Sequence, residues 1–209
     1  MSVLSLNTYL RIDNFILEIK SNIDFSNDIV GIYGPSGSGK TLLLRIIAGL
    51  EKNSRGSVIF NRLNWQNDKK GIFLSSSRRK AVNVFQENRL FENMNVKNNI
   101  MFGYRRNRNI KNLNFSQITN SLEINNIMNR EVKNLSGGEK QRVAIARSLL
   151  AEKNILLLDE PFSSQDISRK NKIINLLKDI YSQTRLPMLI VSHSMEDLIN
   201  LTSKTILLD

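Results

Sequence analysis

Several groups of residues in this chain have the types and spacing for phosphate chemistry. The first is Gly34-Pro35-Ser36-Gly37-Ser38-Gly39-Lys40-Thr41, which fits the phosphate-loop pattern G-x-x-x-x-G-K-[ST]. Glycines without Cβ let successive backbone N–H groups turn inward as an anion nest at a helix N-terminus, where the dipole also favours phosphate. Lys40 then reaches the β- and γ-phosphates, and the Thr41 hydroxyl offers a ligand to Mg²⁺. A ligand-free Gly-rich turn is the plain alternative, and the flanking strand and helix argue against it. The second group is Asp159-Glu160, closing the apolar run Ile155-Leu156-Leu157-Leu158. Neighbouring side chains on a strand point to opposite faces, so one acid can hold Mg²⁺ while the other polarises water. The third is Ser136-Gly137-Gly138, where a hydroxyl and unobstructed N–H groups at a helix start make a second phosphate site. His193, the one histidine, follows another apolar run. Alone it reads as a structural histidine; at the carboxyl end of a parallel strand, beside the loop and the acids, it reads as part of the site.

These residues need a scaffold, and hydrophobic periodicity supplies one. Ile29 to Tyr33 reads as the strand before the loop, and Thr41 to Leu50 as the helix behind it, with Leu42, Leu43, Leu44, Ile46, Ile47 and Leu50 buried. Residues 2 to 25 alternate as an antiparallel region with the apolar set Val3, Leu4, Leu6, Tyr9, Ile12, Phe15, Leu17, Ile19 and Ile23. Strand Ser57 to Phe60 leads into a hairpin reaching Phe73, and Ala81 to Phe85 is a further buried strand. From Glu87 to about Lys133 the chain is Asn-rich and helical, with helical spacing over Val96 to Phe102 and Phe115 to Met128 around the basic stretch Arg105 to Lys111. Ser136 with Glu139 forms a capping box opening the next helix. An amphipathic helix over Ser168 to Tyr181, strand Met188 to Ser192, helix Met195 to Leu201 and strand Thr205 to Leu208 complete an α/β pattern.

Composition bounds the rest. A chain of 209 residues with 41% hydrophobic residues can bury one sizeable core. It has no cysteine, which removes disulfides and thiolate metal sites and fits a reducing compartment. No apolar run reaches the roughly 18 residues of a membrane span, and the N-terminus lacks a secretory pattern. The net charge of +11 permits attraction to nucleic acid or anionic lipid. Its densest clusters, Arg78-Arg79-Lys80 and Arg105-Arg106-Asn107-Arg108, carry no repeated aromatic interleaving, so no nucleic-acid partner is expected.

Leu135-Ser136-Gly137-Gly138-Glu139-Lys140-Gln141 followed by the Ile155 to Pro161 strand resembles the ATP-binding-cassette ATPases. With Gln86 after Val84-Phe85, Ser163-Ser164-Gln165-Asp166 after the acids, and His193, the resemblance covers essentially the whole chain. It implies a P-loop NTPase fold: a RecA-like parallel-sheet core with an N-terminal antiparallel β-subdomain and an inserted helical subdomain. The core would comprise residues 1–86 and 149–209, and residues 87–148 the helical subdomain carrying the signature motif. The implied cofactors are ATP and Mg²⁺. Gly34 to Thr41 would bind the phosphates, Asp159 would be the magnesium ligand with Thr41, and Gln86 would join metal and water to a transmembrane partner. Glu160 would be the general base and His193 the γ-phosphate switch. Ser136, Gly137 and Gly138 would act in trans, in a head-to-tail homodimer with ATP sandwiched.

Within the family, Arg78-Arg79, Arg89-Leu90-Phe91, Asp166 to Lys170 and Leu186 to Ser194 resemble cassettes of molybdate importers. The partners implied are permease subunits and, indirectly, an extracytoplasmic solute-binding protein, with the chain peripheral at the cytoplasmic face of the inner membrane. Cassettes for tungstate, sulfate, iron or polyamines share much of this pattern and stay open, as does a soluble nucleic-acid-associated cassette; a small-molecule kinase would leave the signature unexplained. Gln165 stands where the family's D-loop usually has Leu. For the adenine-stacking position Phe15, Tyr9 and Ile12 are the candidates. Molybdate cassettes often carry a C-terminal oxyanion-binding domain, and with the sequence ending at Asp209 no such regulation is expected in this subunit.

Overall fold

The computed structural model describes residues 2–87, 89–104 and 113–208; the expected basic stretch 105–111 lies outside the described residues, as does Asp209. The chain enters as a hairpin, β1 (Val3–Ile12) and β2 (Phe15–Asp24), then β3 (Val30–Tyr33), α1 (Lys40–Ala48), β4 (Arg55–Phe60), β5 (Leu63–Asn67), β6 (Ile72–Phe73), the short α2 (Ser76–Arg79) and β7 (Ala81–Val84). The helical section holds α3 (Val96–Tyr104), α4 (Phe115–Ser121) and α5 (Gly137–Leu150). Then β8 (Ile155–Asp159), α6 (Ile167–Thr184), β9 (Met188–Ser192), α7 (Met195–Leu201) and β10 (Lys204–Leu207) return to the core.

Strands in the order β2-β1-β4-β5-β6 make an antiparallel sheet, and β10-β3-β9-β8-β7 a parallel one. The hairpin register runs from Val3 opposite Asp24 to Ile12 opposite Phe15, so its period of two buries Leu4, Leu6, Leu10, Leu17, Ile19 and Ile23 on one face. Tyr9 falls on the other face, opposite Glu18, while Ile12 and Phe15 sit at the exposed tip. Leu50 is likewise exposed, because α1 stops at Ala48 and Gly49 turns left-handed at φ 73.

The central parallel strands β8 and β9 are buried on both faces, as their unbroken apolar runs require. Alternate residues of β8 serve two different cores. Ile155 and Leu157 pack with α1, Trp65 and the antiparallel sheet, whereas Leu156 and Leu158 pack with α5, α6 and the helical section.

The apolar spacing over Phe115 to Met128 predicts one helix, and the structure breaks it. α4 ends at Ser121, Glu123 adopts φ 51, and a 3₁₀ turn covers Asn125–Ile127. Leu122, Ile124 and Ile127 are nevertheless buried, so the spacing reported burial correctly while overstating helical continuity. Asn99, wholly buried, fixes α3 to the loop behind Gln86: its amide accepts from the Phe91 N–H at 2.9 Å and donates to the Phe91 carbonyl at 3.0 Å.

Candidate active site

Strands β3, β9 and β8 lie side by side, and the loops at their carboxyl ends converge on a cavity of about 450 Å³. After β3 the chain turns through Gly37 (φ 88) and Gly39 (φ 91), conformations that side-chain-bearing residues reach only with strain. Gly34 is forced differently: a Cβ there would lie 2.3 Å from the Leu208 carbonyl oxygen. Helix α1 starts directly from Gly39 with no side-chain cap and no acid in its first turn. Its leading N–H groups therefore remain available to an anion, with the helix dipole in support. Lys40 is buried, its ammonium donating to the carbonyls of Gly34 and Pro35 at 2.7 Å each. The Ser38 hydroxyl, packed against Gly34, is buried with no hydrogen-bond partner among the described residues.

The two acids divide as strand geometry dictates. Asp159, paired with Val191 in the sheet, is 2% exposed and sits beside the Thr41 hydroxyl. Desolvation pushes its carboxyl above the ordinary range, with the neighbouring Glu160 adding to the effect while Thr41 and Lys40 oppose it. Glu160 steps out of the strand at φ 48, an uncommon conformation held by its N–H donating to the Val191 carbonyl at 3.1 Å. Its Oε1 accepts from the His193 backbone N–H at 2.8 Å and lies 2.8 Å from His193 Nδ1, and Oε2 accepts from the Ser192 hydroxyl at 3.3 Å. With Nδ1 turned to the carboxylate, Nε2 is the ring nitrogen left for a ligand. Thr41 and Asp159 are oxygen donors suited to Mg²⁺, which takes few protein ligands and shares the rest with phosphate and water. No cluster of three or more His, Cys, Asp or Glu able to cage a metal occurs among the described residues.

The cavity thus brings together Ser36, Gly37, Gly39, Lys40, Thr41, Gln86, Asp159, Glu160 and His193, while Gly34, Pro35 and Ser38 form the base of the loop. Phe15 also lines it, within van der Waals reach of Gly39, which singles it out from Tyr9 and Ile12. Sequence reasoning missed Ser192, whose hydroxyl anchors Glu160; its position, last in an apolar strand beside the histidine, was the available signal. Ser136, Gly137 and Gly138 do not line this cavity. They open α5, where the Ser136 N–H donates to Glu139 Oε2 at 2.8 Å and the Glu139 N–H donates to the Ser136 hydroxyl at 3.3 Å, completing the capping box. Ser136 and Gly137 are exposed, so the turn presents its donors outward.

A family model described as ABC transporter matches residues 21–163, well over half of the sequence. The chain belongs to the ABC transporter family. This cassette is 41% identical over 182 residues to the molybdenum import ATP-binding protein ModC of Pseudomonas savastanoi pv. phaseolicola, covering 87% of the chain and 50% of the relative. ModC of Albidiferax ferrireducens is 37% identical over 209 residues, covering 100% and 56% respectively. The cassette spans about half the length of the curated relatives it matches. Among solved structures, the dimeric post-hydrolysis state of the ATP-binding cassette MJ0796 bound to ADP and Pi superposes with a TM-score of 0.77 at 26% identity, covering 100% of this chain and 94% of that one. The dimeric structure of MJ0796, a bacterial ABC transporter cassette, gives 0.76 at 27% identity, with the same coverage. The parallel sheet flanked by an antiparallel sheet and a helical section is the fold expected of an ABC-type P-loop NTPase.

Proposed function

We propose that this chain is the ATP-binding and ATP-hydrolysing subunit of a molybdate importer, working as a homodimer with ATP sandwiched head to tail. One observation carries the reading: the uncapped loop-and-helix nest, the acid pair and His193 share one cavity, while the signature turn faces outward on the same chain. Such a chain has one incomplete site and one donor surface, and a second copy completes both. The ModC relatives supply the cargo.

Gly34 to Thr41 hold the phosphates, and Phe15 supports the adenine. Thr41 and Asp159, with Gln86, would hold Mg²⁺, which when bound would neutralise phosphate charge. Glu160 takes the proton of the attacking water, oriented by Ser192 and His193, whose Nε2 meets the γ-phosphate. Lys40 adds charge where it develops in the transition state. From the partner copy, Ser136, Gly137 and Gly138 close the site.

Residues 87–148 act as a helical subdomain that docks the permease. A cavity of about 530 Å³ between β7, α3 and α5, lined by Phe85, Arg89, Phe91, Phe102 and Arg147, supports this site. Beneath it the Asn83 amide is buried with neither end hydrogen-bonded among the described residues, a polar contact for the incoming segment. No helix among the described residues is long and apolar enough to cross a membrane. In this reading the chain sits at the cytoplasmic face, held by the permease, which also links it to the solute-binding protein.

The test is ATPase activity of the chain co-purified with its permease in liposomes, against a binding protein loaded with molybdate, tungstate or sulfate in turn. Stimulation by molybdate, reduced at least about 100-fold by Glu160→Gln, is expected. A chain that recovers no permease and ignores every oxyanion would refute the proposal.

A further inference from the structure

The D-loop departure, Gln165, has a specific partner set. Its Nε2 donates to the Gly138 carbonyl at 3.0 Å, and its Oε1 accepts from the Arg142 guanidinium at 3.0 Å. Both partners belong to the first turns of α5, so one amide clamps the signature helix at two points. The fit is close: a Cβ on Gly138 would lie 2.8 Å from the Ser164 carbonyl and 3.2 Å from Gln165 Nε2. Arg142 is buried, and its Nε has no partner among the described residues, which leaves Gln165 as the named side chain holding that guanidinium.

The other end of the loop is tied just as firmly to the acid pair. The Ser163 hydroxyl and N–H donate to the Glu160 carbonyl at 2.8 and 3.2 Å, and Ser164 turns the chain at φ 62. A short hydrogen-bonded turn therefore joins the carboxylate that faces this chain's own nucleotide to the amide that holds the turn offered to the other nucleotide. A leucine at 165 would fill space there and make neither hydrogen bond.

We propose that Gln165 is a positioning residue that locks the signature turn to the loop behind Glu160, so that the two nucleotide sites of the dimer are set together. The inference rests on the dimer reading above. Coupling of this kind is a free energy shared between sites and appears in cooperativity.

The test compares Gln165→Met, similar in length and without the amide, with Gln165→Glu, which keeps an acceptor for Arg142 but loses the donor to Gly138. In the Glu160→Gln background, the Met variant is expected to keep its one-site affinity for a fluorescent ATP analogue within about twofold, while Mg-ATP-dependent dimerisation weakens about tenfold. In the hydrolytic protein, the Hill coefficient for ATP should fall toward one, and the Glu variant should lie between Met and the parent in both readouts. A Glu160→Gln parent that stays monomeric in Mg-ATP sinks the dimer reading and this inference with it. A parent that dimerises, with a Met variant that dimerises equally and keeps its Hill coefficient, overturns the inference alone. So does a Met variant whose one-site affinity falls in step with dimerisation, since that marks general damage to the fold.

Discussion

Replacing Arg79 with Met should cost this protein about 3 kcal/mol of stability without touching any residue of the site. Arg79 is 0% exposed, and its guanidinium donates to the carbonyls of Leu74 (2.8 Å), Ile46 (2.8 Å), Ile47 (2.9 Å) and Trp65 (3.3 Å). Four bonds from a charged donor, at the low end of about 1.5 kcal/mol each, amount to roughly 6 kcal/mol. Desolvation lowers the guanidinium pKa to about 10. That cost of burying the charge takes back roughly 3 kcal/mol. The Ile46 and Trp65 carbonyls keep backbone donors from Gly49 and Leu74, whereas those of Ile47 and Leu74 lose their only ones among the described residues. For a chain of this size a loss of about 3 kcal/mol lowers the Tm by roughly 6–12 °C. Arg79→Lys should fall between, because a single ammonium cannot span the four acceptors that the guanidinium fork reaches. Thermal unfolding followed by circular dichroism, with the nucleotide-free protein, measures both variants. A Met variant melting within about 2 °C of the parent would mean that the carbonyls find water or one another, and the ledger would be wrong.

Three further outcomes are expected. Asp159→Asn removes a carboxylate whose pKa burial has raised, so the nucleotide-free protein should melt a few degrees higher at neutral pH while Mg²⁺-dependent ATPase is lost; a lower Tm counts against the argument. Lys153 donates to the Leu149 and Ala151 carbonyls at the end of α5, and desolvation lowers its pKa to about 7. The unfolded chain therefore holds a proton that the folded one releases between roughly pH 7 and 10, so the Lys153 contribution makes stability rise with pH there. Chemical denaturation at pH 7 and pH 9 should show that gain in the parent and lose it in Lys153→Met. Phe15→Ala should weaken ATP binding about tenfold while Phe15→Trp preserves it, with an unchanged Kd for triphosphate alone in both; equal ATP affinity in all three proteins would remove Phe15 from the adenine site.

What the sequence revealed was the chemistry whose logic is local. A glycine loop before a helix, two acids ending an apolar strand and a capping box are each complete within about ten residues, and the structure places them as their neighbours demand. Polar residues with distant partners stayed hidden. Arg79 reads as one of a basic run and Gln165 as a departure, because their partners are backbone carbonyls 33 and 27 residues away. Asn99 looked like one more Asn in an Asn-rich stretch, yet it is a buried bracket. The helix expected over 115–128 failed for another reason: burial recurs with helical spacing even where Glu123 turns left-handed, so periodicity detects the core and not the hydrogen bonds.

β8 is a party wall whose alternate side chains furnish two separate rooms. Deleting a single residue from Ile155 to Leu158 would exchange the rooms of every strand residue after the gap, sending each of those side chains into a cavity shaped for its neighbour. The same slip would rotate Asp159 away from Thr41 and bring Glu160 into its place. The order of the two acids is thus enforced by the packing of the strand behind them, and an insertion or deletion there cannot harm folding and chemistry separately.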